Sequence, residues 1–293
     1  VGSYSVTYSV SDANGNAADS VVRTVSVVDT TKPVITLLGS ATETVEAKGI
    51  YTDAGASASD TLDGSLTVTT LNTVNTDAVG SYTVTYSVSD ANGNAAVNVV
   101  RTVSVVDTTK PVITLLGSAT EIVEAKGTYT DAGAIASDIL DGSMSVTTVS
   151  TVNTDAVGSY TVTYSVSDAN GNAAANVVRT VSVVDTTKPV ITLVGNATET
   201  VEAKSTYTDA GASASDILDG NLTGSVTSVS TVNTDAIGSY TVTYSVSDTN
   251  GNAAADVVRT VSVVDTTKPV ITLLGNATET VEAKGTYTDA GAS

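Results

Sequence analysis

The chain has 293 residues, 31 acidic and 12 basic, for a formal charge of −19, and it contains no His, Cys, Trp, Phe or Gln. That acidity excludes a nucleic-acid partner, because phosphate binding needs clustered Lys and Arg to displace counterions, and it suits solubility or a divalent cation. The absence of Cys rules out disulfide staples, and no run approaches the roughly 20 apolar residues of a membrane span.

Residues 1–28 repeat residues 79–106, Val1 corresponding to Val79, so the sequence is expected to open inside a repeating unit. Asp-Thr-Thr-Lys-Pro-Val-Ile-Thr-Leu then recurs at Asp29, Asp107, Asp185 and Asp265, at intervals of 78, 78 and 80 residues. Three full modules are expected at 29–106, 107–184 and 185–264, with part-modules at 1–28 and 265–293. The period is too long for a solenoid turn and suits a small independent domain. The two extra residues of the third module enter near Thr223 and Gly224, marking a loop or a strand end.

Within 29–106, Pro33-Val-Ile-Thr-Leu-Leu predicts a strand with proline at its first position, where no ladder donor is lost. Gly39 breaks it, and Thr44 to Ala47 are expected to continue it on the opposite sheet. Tyr51–Ser59 and Leu66–Leu71 supply two more extended segments, joined by an Asp60-Thr-Leu-Asp63-Gly turn. Strict alternation from Tyr82 to Ser89 puts Tyr82, Val84, Tyr86 and Val88 on one face. The Asn92-Gly93 pair that follows suits a tight hairpin, and Val99–Val106 returns. Val, Ile and Thr dominate these runs, which favours strand over helix. Six or seven short strands close most naturally as a two-sheet Greek-key sandwich, so the expected fold is all-β.

Asp77-Ala-Val-Gly-Ser-Tyr82-Thr-Val84 resembles the tyrosine corner of immunoglobulin-like folds. Together with the Asp-Thr-Thr-Lys-Pro opening, Thr-Tyr-Thr-Asp-Ala-Gly-Ala, Asp-x-x-Asp-Gly and Ser-Asp-Ala-Asn-Gly-Asn, it makes the chain similar to the immunoglobulin-like repeats of bacterial surface proteins, kin to hyalin-repeat modules. The resemblance implies a spacer role in a large secreted or cell-surface protein.

The Asp90-Ala-Asn92-Gly-Asn94 run suits either a hairpin turn or the opening of a calcium loop, although the twelfth position is Arg101 where an EF-hand has Glu. In a sandwich the incoming linker, the turn between the second and third strands and the last hairpin share one pole. That pole gathers Asp29, Asp60, Asp63, Asp90, Asn92 and Asn94 in the first full module. In the second it gathers Asp107, Asp138, Asp141, Asp168, Asn170 and Asn172, and in the third Asp185, Asp216, Asp219, Asp248, Asn250 and Asn252. Such oxygen-only sets favour Ca2+ over zinc. The placement depends on Thr44–Ala47 not being the second strand, which would move Asp60 and Asp63 to the other pole.

Catalysis has no His or Cys to use, and an exposed Asp pair on a turn is poor acid/base machinery, so no enzyme is expected. The leading expectation is an extracellular stalk or spacer, stiffened by calcium at the module junctions, whose partners are the neighbouring modules of its own chain. The alternative is a self-assembling fibre or matrix protein built by contacts with other copies of the chain.

Overall fold

The computed structural model describes residues 1–293 and is built of strands, with one turn of 3-10 helix at Thr223–Ser225. No helix is long and apolar enough to cross a membrane. Two compact units divide the chain: Val1–Ala119, Ala132–Val149 and Val162–Arg179 form the first, and Thr120–Asp131, Ser150–Thr161 and Thr180–Ser293 the second. The 29–106 module lies within the first and 185–264 within the second.

The first unit opens on a two-stranded ribbon, β1 (Gly2–Tyr8) against β2 (Val21–Val27). The 29–106 module follows with β3 (Val34–Leu37), β4 (Thr42–Glu46), β5 (Ala56–Asp60), β6 (Gly64–Leu66), β7 (Thr69–Asn72), β8 (Gly80–Ser87) and β9 (Val99–Val106). They form a three-stranded sheet, β3-β5-β6, and a four-stranded sheet, β4-β9-β8-β7. Ile35 and Ala58 from the first sheet meet Val84, Tyr86 and Val103 from the second, with Leu37, Val45 and Val68 packed against them. Val84, Tyr86 and Val103 are fully buried, as the alternation along β8 and β9 requires. Each such side chain contributes about 1.5–3 kcal/mol of apolar burial.

The chain changes sheets between β3 and β4 at Gly39, whose φ of +82° suits glycine. A Cβ there would lie 3.3 Å from the Ala54 Cβ, so a larger residue would also need Ala54 to shift by a few tenths of an ångström. β4 then pairs in parallel with β9, from Thr42↔Thr102 to Glu46↔Val106. It is thus the second half of the first strand, as its continuation on the opposite sheet requires. β8 and β9 pair antiparallel from Gly80↔Val105 to Tyr86↔Val99. At the foot of β8 the Tyr82 hydroxyl donates to the Ala78 carbonyl at 2.9 Å, closing the tyrosine corner, and Tyr160 and Tyr240 repeat the bond to Ala156 and Ala236.

Two expected segments differ. Leu66–Leu71 is not one strand: β6 ends at Leu66 on one sheet and β7 begins at Thr69 on the other, because Val68 between them turns into the core. Of Tyr51–Ser59 only the part from Ala56 is strand, since Tyr51 and Asp53 turn inward and hydrogen-bond at 3.2 Å.

The 107–184 module repeats the plan with β10 (Val112–Leu115), β11 (Thr120–Glu124), β12 (Ala134–Asp138), β13 (Gly142–Met144), β14 (Thr147–Ser150), β15 (Gly158–Ser165) and β16 (Val177–Val184). The 185–264 module has β17 (Val190–Leu193), β18 (Thr198–Glu202), β19 (Ala212–Asp216), β20 (Gly220–Asn221), β21 (Thr227–Ser230), β22 (Gly238–Ser245) and β23 (Val257–Val264). Both show the strand orders of the first full module. The two-residue insertion shortens β20 and forms the 3-10 turn, while Leu222 stays buried in the core. The chain is an all-β tandem array of immunoglobulin-like sandwiches.

Candidate metal centre

In the 29–106 module four carboxylates arrive at one pole from separate elements. Asp29 lies in the linker after β2, Asp60 ends β5, Asp63 sits in the β5–β6 turn and Asp90 begins the β8–β9 hairpin. Each offers one oxygen, and the four oxygens lie within 4.8 Å of one another. Oxygens bound to one Ca2+ at 2.3–2.6 Å are at most about 5 Å apart, so the grouping has the size of a calcium shell. Asp60 and Asp90 are only 8% and 7% exposed. Two charges at this separation repel by roughly 3 kcal/mol at a near-surface dielectric.

Hydrogen bonds aim the carboxylates. Oδ1 of Asp60 accepts the Leu62 and Asp63 N–H groups at 2.7 and 3.2 Å, whereas its Oδ2 is buried with no hydrogen-bond partner. Oδ2 of Asp63 accepts the Ala91 N–H at 2.9 Å. Oδ1 of Asp90 accepts the Asn92 and Asn94 N–H groups, and its Oδ2 accepts the Asn94 side chain at 2.6 Å. Burial alone would raise the Asp90 pKa, but these bonds outweigh it and hold the carboxyl below its usual value, charged and able to bind a cation. The Asn92 and Asn94 amides donate to the Asp29 carboxylate and carbonyl, both at 3.2 Å. Of the six residues expected at this pole, the four Asp converge, while the two Asn present nitrogen and orient Asp29 and Asp90.

The pattern recurs. Asn170 and Asn172 donate to Asp107 at 2.9 and 3.1 Å, Ala169 N–H to Asp141 at 2.8 Å, and Oδ2 of Asp138 is buried without a partner. In the third full module Asn250 and Asn252 hold Asp185 at 2.9 and 3.1 Å, Asn252 also holds Asp248 at 2.8 Å, and Oδ2 of Asp216 is unpartnered. These donors are all hard oxygens.

At the end of each full module lies a clamp absent from the expected site. Glu46, the last residue of β4, accepts the Thr108 N–H at 2.7 Å, the Thr109 N–H at 3.0 Å and both hydroxyls at 2.9 Å. These threonines follow Asp107, so one module's carboxylate holds the linker that carries the next module's ligand. Glu124 holds Thr186 and Thr187, and Glu202 holds Thr266 and Thr267, in the same way. The Thr266 and Thr267 hydroxyls and the Thr266 N–H lower the Glu202 pKa from the ordinary 4.5 to about 2. A carboxyl depressed in this way contributes in full above about pH 4.5, and its contribution is lost as pH falls through about 2. The Thr266 and Thr267 amide resonances are therefore expected to titrate with a midpoint near 2, and a midpoint at the ordinary value would refute the clamp in solution.

Sequence reasoning also missed a buried ionic cluster. Arg101 is fully buried; its Nε donates to the Ser40 carbonyl at 2.8 Å, Nη1 to Asp53 and Nη2 to the Leu38 carbonyl. Glu43 lies 3.5 Å from Nε, and the guanidinium carbon is 5.9 Å from the Tyr86 ring centroid. Burial and the Asp53 carboxylate raise the Tyr86 pKa, so the phenol stays protonated and donates to Asp53. Arg259 repeats the arrangement with Asp209 and Tyr244. The available signal was the period-two pattern of β9, which puts Arg101 on the face of Val103 and Val105.

A family described as bacterial surface protein, Ig-like domain, matches residues 35–105, 113–183 and 191–263. No curated protein matches the chain. Among solved structures, a lipoprotein of Bacteroides thetaiotaomicron is 23% identical over 28% of this chain and 40% of its own, with a TM-score of 0.25. The CBM51-2 and INT domains of Clostridium perfringens ZmpB are 26% identical over 31% of this chain and 21% of theirs, with a TM-score of 0.23. Domains 4–9 of the surface layer protein SbsC are 15% identical over 89% of this chain and 54% of theirs, with a TM-score of 0.21. Overlaps this low carry no functional argument. The three matches to the family take in most of the sequence, and the chain belongs to the Ig-like domain family of bacterial surface proteins.

Proposed function

We propose that this chain is a non-catalytic spacer of a bacterial surface protein, extracellular, whose module junctions are stiffened by Ca2+. The observation that carries this reading is the convergence of Asp29, Asp60, Asp63 and Asp90 where one module meets the next, with a buried, unpartnered Asp60 oxygen among them. An ion held there ties the linker residue Asp29 to the β5–β6 turn and the last hairpin. The linker then loses the freedom to swing, which suits a part that holds something at a distance.

Stretching the chain between two surfaces tests this. Three unfolding events are expected, each releasing on the order of 250 Å of contour for a 78-residue module. Their force should rise in calcium and fall in chelator. A single event of larger length would contradict the modular spacer, and calcium-independent forces would contradict the stiffening.

A further inference from the structure

Each full module carries an Asn-Gly pair at the tip of its last hairpin, Asn92-Gly93, Asn170-Gly171 and Asn250-Gly251, and all six residues are exposed. The side-chain amide of each asparagine donates to the Asp of the incoming linker: Asn92 to Asp29 at 3.2 Å, Asn170 to Asp107 and Asn250 to Asp185 at 2.9 Å. The glycine nitrogen that follows is loosely held. The Gly93, Gly171 and Gly251 N–H groups donate to the Asp90, Asp168 and Asp248 carbonyls at 3.2, 3.3 and 3.4 Å, at or beyond the long end of the usual range of about 2.7–3.2 Å. These glycines have φ of 90°, 92° and 91°, and no atom would come within 4 Å of an added Cβ, so nothing crowds them. The neighbouring asparagines differ. Asn94 is half-buried, its amide is bonded to both the Asp29 carbonyl and Oδ2 of Asp90, and Ala95 follows it.

We infer that Asn92, Asn170 and Asn250 are sites of spontaneous deamidation, and that the product releases the linker Asp that each amide had held. The backbone nitrogen of Gly93, having given its proton to solvent base, attacks Cγ of Asn92. The new C–N bond closes a five-membered succinimide, the Cγ–Nδ2 bond breaks, and Nδ2 leaves with a solvent proton as ammonia. Water then opens the ring at one of its two carbonyls, which leaves either aspartate or isoaspartate at position 92. Water enters and ammonia departs, and no enzyme, oxidant or ion is needed. In both products the donor that faced Asp29 is replaced by a carboxylate, so an attraction becomes a repulsion between like charges at short range. Asp29 keeps the Thr31 N–H within its own linker and loses its side-chain tie to the hairpin. The same exchange frees Asp107 from Asn170 and Asp185 from Asn250. The junctions of an ageing chain therefore loosen while the sandwiches between them stay folded.

The test is incubation of the folded full chain in mildly alkaline buffer with chelator, followed by peptide mapping in a mass spectrometer. The mass shift of an amide-to-acid exchange should accumulate at Asn92, Asn170 and Asn250, with isoaspartate among the products, and Asn94, Asn172 and Asn252 should stay unchanged. Asn92→Gln should abolish the shift at that position and leave the other two, because a glutamine must close a six-membered ring. A parallel sample in urea shows that the chemistry proceeds when the chain is unfolded. The release is read in chelator from the Thr30 and Thr31 backbone amides, whose NMR order parameters should fall both in the aged chain and in Asn92→Asp. Intact hairpins in the folded chain beside conversion in urea would overturn the inference, and so would conversion of Asn94 at the pace of Asn92, which would mark general unfolding. Unchanged order parameters in Asn92→Asp would overturn the release of the linker.

Discussion

Replacing Arg101 with alanine is expected to unfold the 29–106 module at ordinary temperature or bring it to the edge of unfolding. The side chain is fully buried, and its removal leaves the Asp53 carboxylate with only its Tyr51 and Tyr86 donors and takes the guanidinium from the Leu38 and Ser40 carbonyls. Breaking a buried, hydrogen-bonded ion pair from one side costs about 3–5 kcal/mol. A module of this size has on the order of 4–12 kcal/mol in all. Arg101→Lys keeps the charge but cannot serve two carbonyls and a carboxylate in diverging directions, so it should recover only part of the loss. Urea unfolding of the full chain, followed by far-UV circular dichroism, should show an early transition of about one module's amplitude in Arg101→Ala. A single transition unchanged from that of the unaltered chain would show that the cluster contributes little.

How far the sequence disclosed the molecule depended on the range of the contact. Tyr82 to Ser89 alternates, Asn92-Gly93 turns, and the tyrosine corner lies within four residues, so the strands and the sandwich could be inferred locally. The acidic pole was legible because three of its pieces sit beside turn signals, and strand direction carried them to one end once β4 was placed beside β9. The break at Val68 was hidden, since an extended run looks the same whether it stays in one sheet or crosses to the other. The Glu46 clamp joins residues 62 and 63 apart in sequence, and Arg101 reaches Asp53 across 48. No local pattern announces such pairings. Arg101 was also obscured by the expectation that arginine faces water, although the alternation of β9 contradicts that expectation at this one position.

Calcium is expected to raise the melting temperature of the modules, and Asp60→Asn is expected to have opposite effects with and without it. An ion that binds only the folded state stabilises it by about 2.7 kcal/mol at a hundredfold excess over the dissociation constant. For a domain of this size that corresponds to roughly 10–20 °C. In chelator, Asp60 is a nearly buried carboxylate among three others, with one oxygen unpaired. The substituted amide would keep an oxygen for the Leu62 and Asp63 N–H groups and remove one charge from the cluster, so Asp60→Asn should stabilise the 29–106 module in chelator by about 1 kcal/mol. In calcium the same change removes a ligand and should destabilise that module. A purely structural Asp60 would shift the melting temperature in the same direction under both conditions. Magnesium should substitute poorly, because its tighter octahedral shell does not suit four carboxylates on separate turns. The −19 charge responds to any salt, so the comparison holds ionic strength constant. Under that control, equal melting temperatures in calcium and in chelator would leave the four carboxylates as a turn-forming cluster and refute the ion.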